Sequence, residues 1–274
     1  MKFLITGANG FIGSYLKNRL ISDGHLVKTL GKSKKNDYSI DLTKEFKKIE
    51  ENYDFIIHTA SIVHNVEHAN KFNEQIILLD IEITLNLFRS LEKISFNKLI
   101  FLSSVSVYGI EIGRDINITQ KVSPKSGYGF SKVISERIIS QFLPQKKWLI
   151  LRLPLVNGPN PKGNIKMALN IIESGKMILF RGNNAEKTIL ELEDLYTFIL
   201  NESERFHGIH QLKSYDIKFN TFIRSLSKEK VYYLPLVFLK IMILMAKIFK
   251  LSTKRNTLIK IYSDLTFVDT TKIK

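Results

Sequence analysis

The sequence predicts an α/β protein built on a doubly wound parallel sheet, with a smaller lobe towards the carboxyl terminus. Short apolar runs alternate along the chain with longer stretches of helical spacing, which is typical of parallel strands joined by crossover helices. A glycine-rich turn separates the first apolar run from the first helical pattern. Hydroxyl-rich segments follow later apolar runs, where the carboxyl ends of parallel strands form a ligand-binding edge.

Composition narrows the class of protein. A chain of 274 residues, 44% of them hydrophobic, can bury a substantial core. It has no cysteine, so disulfides and thiolate metal ligands are excluded, and we expect no metal site. Only three apolar residues lie between Lys2 and Thr6. This run is too short for a secretory signal, so we expect a cytoplasmic protein.

The formal net charge of +15 raises the question of a nucleic-acid partner. The lysines are spread along the whole chain, and no dense basic run with interleaved aromatic residues is present. We therefore expect no nucleic-acid partner. A basic surface of this kind instead favours small anionic ligands.

The first strand, turn and helix predict a dinucleotide site of the Rossmann type. The apolar run Phe3–Ile5 leads into the glycine-rich segment Thr6–Gly13, and a helical pattern follows. Gly7 permits the tight turn, Gly10 lets the backbone approach a pyrophosphate, and Gly13 lets helix and strand pack closely. The first N–H groups of the helix favour phosphate charge. We assign to the cofactor Gly7, Asn9, Gly10, Phe11, Ile12 and Gly13.

The second strand, Leu26–Leu30, ends where such folds contact the adenosine ribose. Folds that prefer NAD carry an acidic residue there, whereas this chain has Gly31 followed by the basic segment Lys32–Lys35. Lys32 would suit a 2′-phosphate, so the segment favours NADP over NAD. NAD stays the alternative, because the segment is also typical of an ordinary basic loop.

The segment Tyr38–Leu42 predicts a short third strand, and a helix is predicted over 43–51. We assign Asp41 and Leu42 to the cofactor, with Asp41 accepting from an adenine amino group. The alternative is that Asp41 only begins the helix, since Asp is a common residue at that position.

Next, the apolar run Phe55–Ile57 predicts a buried parallel strand. The small residues Thr59 and Ala60 at its end leave room for the cofactor, and we assign both to it. His58 is more typical of a packed or hydrogen-bonded side chain than of a catalyst. A long amphipathic helix is then predicted over 71–93.

The strand Lys98–Leu102 ends in a cluster of hydroxyl residues at 103–109. Further on, Tyr128 and Lys132 stand four residues apart, so on a helix both side chains share one face. A nearby ammonium, with the positive ring of an oxidised nicotinamide, is expected to lower the tyrosine pKa towards working pH. Ser104 could then hold the substrate oxygen while Tyr128 transfers the proton.

These motifs, in this order, resemble the extended short-chain dehydrogenase/reductases, the nucleotide-sugar epimerase and dehydratase family. The resemblance implies that Ser104 is the catalytic serine, Tyr128 the acid/base and Lys132 the lysine that contacts the cofactor ribose. The segments that carry it are Thr6–Gly13, Ser103–Gly109, Tyr128 with Lys132, Leu151–Pro154 and Asn157–Pro159.

The resemblance also implies two substrate residues. Asn157 stands at the position of the family's substrate asparagine, and Lys187 stands where an arginine usually meets the diphosphate. Lysine keeps the charge but loses the bidentate fork, which weakens that grip. Asp80 replaces an asparagine of the long helix, which puts a local contact there in question. Val105–Ser106 replaces the Asp-Glu pair of the dehydratases, so dehydration is not expected.

Residues 187–195 and 263–269 match the later parts of the family pattern, so the resemblance covers nearly the whole chain. It implies a Rossmann core over 1–155, with later strands interleaved, and a substrate-binding lobe mainly over 156–274. A homodimer is also expected. The interpretation we favour is an NADPH-dependent reductase of a nucleotide-linked 4-keto sugar in polysaccharide precursor synthesis. The alternatives are an NAD-dependent nucleotide-sugar 4-epimerase and a non-catalytic NADP-binding scaffold.

The strongly apolar stretch Leu234–Leu251 is interrupted by Lys240 and Lys247, which argues against a transmembrane span. A helix with a wide apolar arc and a basic stripe is typical of one lying on an anionic membrane. The alternative, which the resemblance favours, is a helix of the substrate-binding lobe packed on the protein or across a dimer.

Overall fold

The computed structural model describes residues 1–44, 47–62, 74–161, 163–174, 177–227 and 231–271. The strands are β1 (Lys2–Thr6), β2 (Leu26–Gly31), β3 (Tyr38–Ser39), β4 (Tyr53–His58), β5 (Phe96–Ser104), β6 (Gly113–Ile116), β7 (Trp148–Leu153), β8 (Leu155–Asn157), β9 (Ile178–Arg181), β10 (Glu186–Glu191), β11 (Gly208–Gln211), β12 (Tyr215–Lys218), β13 (Tyr232–Pro235) and β14 (Leu265–Phe267). The α-helices are α1 (Phe11–Ser22), α2 (Glu74–Ser90), α3 (Gly127–Phe142), α4 (Gly163–Glu173), α5 (Leu192–Asn201), α6 (Phe219–Leu226), α7 (Leu236–Ile248) and α8 (Ser252–Ile261).

The main sheet has seven strands in the order β11-β7-β5-β4-β1-β2-β3. Every neighbouring pair in it is parallel. The strand order runs outwards from β1 in both directions, which confirms the predicted doubly wound sheet. The carboxyl ends of β1, β2, β4 and β5, which lead into the predicted cofactor and serine segments, therefore meet at one edge.

Both faces of this sheet are covered by helices, which explains why its strands read as continuous apolar runs. On one face, Phe3 and Ile5 pack in a cluster with Leu16 of α1 and Leu195 of α5. On the other face, Leu4 belongs to a second cluster, whose other members include Ile83 and Leu87 of α2 and Ile139 of α3. Side chains alternate along β1 as the period of a strand requires.

Later segments form smaller sheets beside this core. One has the order β12-β10-β14-β6, with β8 paired to β10, and β13 pairs with β9. A separate apolar cluster joins these strands to α4 and α6 through Ile165, Leu179, Ile189 and Phe222. Strand β11 returns to the main sheet, where it pairs with β7.

Two helix predictions change. Residues 47–52 have no helical structure, so the helix predicted over 43–51 is wrong for the described part of that segment, with 45–46 outside the described residues. The side chain of Asp41 accepts from the N–H of Thr43 and closes a local turn, while the N–H of Ile49 bonds to the carbonyl of Ser90. The helix predicted over 71–93 is α2 and ends at Ser90, and its first residues, 71–73, lie outside the described residues.

Candidate active site

The glycine turn after β1 packs against the end of β4. Gly7 has a φ of 69°, and a Cβ there would lie 2.7 Å from Oγ1 of Thr59. A Cβ on Gly13 would lie 2.4 Å from the carbonyl oxygen of Gly7. Thr59 Oγ1 donates to the Thr6 carbonyl at 2.7 Å, and the Ala60 N–H donates to Thr6 Oγ1 at 3.2 Å. These contacts bring together the two predicted cofactor segments, Gly7–Gly13 and Thr59–Ala60.

This turn fits the pyrophosphate of a dinucleotide. Helix α1 begins after Gly10, which provides no side-chain cap, and its first turn carries no acidic residue. The first N–H groups of a helix have no partner within the helix, so those of Phe11, Ile12 and Gly13 are suited to an anion. A side chain at Gly7 or Gly13 would collide with the backbone or with Thr59, which accounts for both glycines.

The loop after β2 lies next to the glycine turn. Asn36, which is buried, donates from Nδ2 to the Ser33 carbonyl at 2.9 Å and accepts from Asn9 Nδ2 at 3.5 Å. The Lys32 ammonium lies 3.6 Å from the Asp41 carboxylate. Hydrogen bonds from Thr43, first of all, hold the pKa of Asp41 below its usual value. Lys32 and Asp41, both predicted for the adenosine end of the cofactor, are therefore neighbours. Asn36, which connects this loop to Asn9 of the glycine turn, was not predicted from the sequence.

An acidic residue does follow β2, but it faces the strand. The Asp37 carboxylate accepts from the N–H of Thr29 at 2.9 Å and from its Oγ1 at 2.8 Å. Lys28 lies 3.3 Å from the other carboxylate oxygen. These bonds hold Asp37 against β2. The ammonium of the exposed Lys32 side chain lies instead beside Asp41.

At the carboxyl end of β5, Ser104 caps a short 3₁₀ turn over 105–108. Its Oγ accepts from the N–H of Ser106 at 3.2 Å and from the Ser106 hydroxyl at 2.8 Å. The Tyr128 hydroxyl hydrogen bonds to Ser104. The structure thus brings together the predicted serine and tyrosine, and adds Ser106 as the residue that orients the serine hydroxyl.

Helix α3 places Tyr128 at its first turn. Ser126 caps the helix by accepting from the N–H of Gly129 at 3.1 Å. A Cβ on Gly129 would lie 2.6 Å from the carbonyl oxygen of Ser106, so this glycine permits the close approach of α3 to the 3₁₀ turn. That approach sets the position of Tyr128 relative to Ser104.

Lys132 lies one helical turn after Tyr128 and is only 3% exposed. Its Nζ is 5.6 Å from the centre of the Tyr128 ring and 4.9 Å from that of Phe101. Burial lowers the pKa of Lys132, and the nearby carboxylates of Asp80 and Glu136 oppose that shift. The lysine and the tyrosine share one face of α3, as their spacing predicts.

The pKa of Tyr128 differs from the expectation. Burial, followed by the charge of Asp80, raises the pKa of Tyr128 to about 12, while the hydrogen bond with Ser104 lowers it. The expected lowering by Lys132 is not found: desolvation of the phenolate and the charge of Asp80 raise the pKa, and the hydrogen bond with Ser104 opposes them. Tyr128 is therefore a neutral phenol at neutral pH.

Asp80 stands where the family usually has an asparagine, which put a local backbone contact in question. The structure shows that Asp80 makes such a contact. Its carboxylate accepts from the N–H of Ile62 at 3.0 Å and from the Ser131 hydroxyl at 2.8 Å. Asp80 is 2% exposed. This buried carboxylate joins α2, α3 and the segment after β4, and its charge acts on both Tyr128 and Lys132.

A buried ion pair supports the same region. Arg152 on β7 donates to both carboxylate oxygens of Glu136, at 3.0 and 2.7 Å. Ser103 Oγ donates to Glu136 at 2.6 Å, and Arg152 also donates to the Tyr108 hydroxyl at 3.1 Å. Tyr108 in turn donates to Gln211. Glu136 lies four residues after Lys132, a helical spacing that could have drawn attention to it.

His58 fits the packed interpretation. It is 1% exposed, its Nδ1 lies 2.7 Å from Thr6 Oγ1, and its ring stacks on Phe101. Burial, first of all, lowers its pKa to about 3, so the ring is neutral at neutral pH. It connects the end of β1 with Phe101 of β5.

The two predicted substrate residues lie on neighbouring strands of the smaller sheet. The Asn157 amide on β8 donates to both carboxylate oxygens of Glu191 at 3.0 Å. Lys187 on β10 donates to the carbonyls of Lys260 and Ser263 at 2.7 and 2.6 Å. Burial lowers the pKa of Lys187 to about 8. The Asn157 amide and the Lys187 ammonium therefore both form hydrogen bonds to groups of the protein itself.

The sheet is doubly wound, and a glycine turn follows its first strand. Serine, tyrosine and lysine side chains lie at the same edge of this sheet. Together these features define a dinucleotide-binding protein of the short-chain dehydrogenase/reductase class. The chain belongs to the NAD dependent epimerase/dehydratase family, which matches residues 3–204.

Two curated relatives are similar to this chain. It is 23% identical over 209 residues to an N-acetyl-alpha-D-glucosaminyl-diphospho-ditrans,octacis-undecaprenol 4-epimerase of Escherichia coli O157:H7, which covers 72% of this chain and 61% of the relative. It is 30% identical over 180 residues to a putative UDP-glucose 4-epimerase of Methanocaldococcus jannaschii, which covers 58% of each. The chain thus spans about three fifths of the length of these relatives.

The fold is also that of a solved structure. The human epimerase family protein SDR39U1, determined with NADPH, superposes with a TM-score of 0.73 at 16% identity. The match covers 99% of this chain and 92% of the human one. The similarity extends over both the main sheet and the later segments.

Proposed function

We propose that this protein is an NADPH-dependent reductase of a nucleotide-linked 4-keto sugar, acting in polysaccharide precursor synthesis. The observation that carries the proposal is geometric: Tyr128 on α3 hydrogen bonds to Ser104 at the end of β5, with Lys132 one helical turn further along α3. Reduction of a ketone needs an acid that holds its proton at working pH, whereas alcohol oxidation needs a base. This tyrosine is suited to the acid role.

The residues divide the reaction among them. The Ser104 hydroxyl, oriented by Ser106, would bind the C4 oxygen. NADPH supplies the hydride that C4 accepts. Tyr128 donates its proton to the oxygen, the C=O bond becomes an alcohol, and the ammonium of Lys132 stabilises the phenolate until solvent returns the proton. Ser104 lies at the end of β5 and Tyr128 and Lys132 lie on α3, so all three side chains would be in place before substrate binds.

The cofactor would be held by the glycine turn and the loop after β2. Gly7, Asn9, Gly10 and the first N–H groups of α1 suit the pyrophosphate. The exposed ammonium of Lys32 suits a 2′-phosphate, and Asp41 lies beside it. The Asp37 carboxylate is engaged by Thr29 and Lys28. NADP is therefore preferred, with NAD as the alternative.

A 4-epimerase is the second candidate, and the names of the two curated relatives favour it. One of those names describes a sugar carried on diphospho-undecaprenol. An epimerase would use the same serine, tyrosine and lysine, but would return the hydride to the opposite face of the same sugar. A non-catalytic NADP-binding scaffold is the third alternative.

Stoichiometry distinguishes these functions. The protein is mixed with NADPH and a panel of UDP- and dTDP-linked 4-keto sugars, and separately with 4-hydroxy nucleotide sugars and trace cofactor. We expect one NADPH to be oxidised for each keto sugar reduced. Interconversion of 4-hydroxy epimers without net cofactor change would replace this proposal with the epimerase, and cofactor binding without turnover on either panel would favour the scaffold.

Cofactor preference gives a further prediction. The wild-type protein is expected to bind NADPH more tightly than NADH, and Gly31→Asp to reverse that order by placing a carboxylate against the 2′-phosphate. Titration of both cofactors into both proteins measures this. A Cβ at Gly31 would lie 3.1 Å from Nδ2 of Asn36, so Gly31→Ala is the control for the added bulk. A wild-type preference for NADH would contradict the assignment of Lys32.

Asp80 gives a prediction about pH. Its charge raises the pKa of Tyr128, so Asp80→Asn is expected to lower that pKa. The alkaline fall of kcat/KM for ketone reduction should then begin at lower pH, since the phenol loses its proton earlier. Lys132 also faces this carboxylate, and its ammonium becomes less favoured in the same variant.

The matched control is Glu82→Gln, which removes one charge from the exposed side of the same helix, where Glu82 pairs with Arg89. The pH profile of this variant is expected to follow that of the wild type. An unchanged profile in Asp80→Asn, or an equal shift in both variants, would contradict a specific effect of Asp80 on Tyr128.

A further inference from the structure

Helix α7 leaves a wide apolar face exposed. Its side chains at positions i, i+4, i+7 and i+11 form two adjacent stripes along the helix. Each member is between 42% and 63% exposed. The first stripe is Val237, Ile241, Leu244 and Ile248, and the second is Phe238, Met242, Met245 and Phe249, the last directly after the helix.

The opposite side of the helix holds it on the protein. Leu239 and Ala246, seven residues apart, are 5% and 7% exposed. This narrow side is sufficient to pack α7 on the protein. Packing of the stretch Leu234–Leu251 on the protein therefore does not explain why both apolar stripes are exposed. Contiguous exposed apolar surface of this kind is typical of an interaction site.

Positive charge borders the same face. Lys240 and Lys247 are exposed, stand seven residues apart and lie beside the first stripe. Lys250 follows just after the helix and is also exposed. The segment 231–263 carries six basic residues and no Asp or Glu: Lys240, Lys247, Lys250, Lys254, Arg255 and Lys260. Apolar stripes bordered by lysines match the chemistry of an anionic lipid surface.

We propose that α7 binds the surface of an anionic membrane, with its two apolar stripes at the boundary between headgroups and acyl chains and the ammonium groups of Lys240 and Lys247 on lipid phosphates. The helix lies flat, because its 13 residues extend only about 20 Å, less than the roughly 30 Å of a bilayer core. Among the described residues, no helix combines the length and apolar character needed to cross a membrane.

Charge also argues against a second copy of the chain as the occupant. Two copies meeting through this face would bring their lysines together, and the segment 231–263 contains no acidic partner for them. An anionic bilayer supplies both an apolar layer and negative charge. This inference goes beyond the proposed reductase reaction and depends only on α7.

The test is co-sedimentation of the full-length protein with vesicles. One set contains phosphatidylcholine with about one third phosphatidylglycerol, and the other contains phosphatidylcholine alone. We expect binding to the anionic set at least tenfold stronger than to the neutral set, and weaker at high salt. Ile241→Gln/Leu244→Gln/Ile248→Gln and Lys240→Gln/Lys247→Gln are each expected to lower binding about tenfold or more.

Two controls match these variants. Ile21→Gln/Leu26→Gln removes exposed apolar side chains elsewhere, and Lys93→Gln/Lys146→Gln removes two exposed lysines elsewhere. Both are expected to bind like the wild type. Absence of binding to the anionic vesicles, or equal losses in control and α7 variants, would overturn the proposal. So would a dimer in sedimentation velocity that the triple variant abolishes, since a second copy would then cover the face. Because no substrate is used, a failed reductase assay leaves this result unaffected.

Discussion

Tyr128→Phe is expected to reduce turnover of a nucleotide-linked 4-keto sugar by about a hundred- to ten-thousand-fold, the usual contribution of a positioned general acid. The variant loses the hydroxyl that hydrogen bonds to Ser104, while its ring keeps its place on α3. Cofactor binding should be nearly unchanged, because the glycine turn and Lys132 remain. Steady-state kinetics and NADPH titration measure the two effects separately.

Companion variants make this result specific. Tyr232→Phe removes the hydroxyl of an exposed tyrosine far along the chain and should leave kcat unchanged. Lys132→Met should impair both cofactor binding and turnover, since this lysine is expected to contact the ribose and to stabilise the phenolate. Undiminished turnover in Tyr128→Phe would rule out the assigned acid and leave Ser104 or solvent to supply the proton.

The parts of the site that the sequence predicted are those fixed by local spacing. The glycines at 7, 10 and 13 follow directly from a strand-turn-helix whose backbone must approach itself closely. The four-residue interval between Tyr128 and Lys132 places both on one face of any helix. Ser104 could be predicted at the sheet edge because it directly follows the apolar run Lys98–Leu102, and the carboxyl ends of parallel strands form the ligand-binding edge.

Contacts that depend on tertiary packing could not be predicted from the sequence. The ammonium of Lys98 donates to the carbonyls of Ser203, Glu204 and Phe206 at 2.7–2.8 Å, more than a hundred residues away along the chain. In the sequence it is only a charge at the start of an apolar strand. The direction of the Tyr128 pKa shift could not be predicted for the same reason, because burial and the charge of Asp80 on another helix raise this pKa.

The helix expected over 43–51 illustrates a different limit. Its residues are mostly good helix formers, yet intrinsic propensity is a weak prior that tertiary contacts override. The Asp41 side chain offers the backbone a turn, and the hydrogen bond between Ile49 and Ser90 ties the segment to the end of α2. Propensity alone could not predict either contact.

The buried pair of Glu136 and Arg152 carries the largest expected effect on stability. Glu136→Ala would leave the Arg152 guanidinium, in a residue 5% exposed, without its two carboxylate contacts. Removing one partner of a buried pair costs about 3–5 kcal/mol. Urea unfolding is expected to show a loss of that size. Because Ser103 also donates to Glu136, the end of β5 beside Ser104 should loosen, and kcat should fall with stability.

A matched exposed pair separates this effect from general charge removal. Glu202→Ala breaks the surface pair with Arg205 and should cost less than about 1 kcal/mol. Replacing both buried partners, in Glu136→Leu/Arg152→Met, removes the stranded charge and should recover part of the lost stability, since apolar substitutes of similar volume are often tolerated. If Glu136→Ala fails to fold, Glu136→Gln, which keeps the shape and loses the charge, gives the intermediate value. An equal loss in Glu136→Ala and Glu202→Ala would show that the pair does not hold α3 on the sheet.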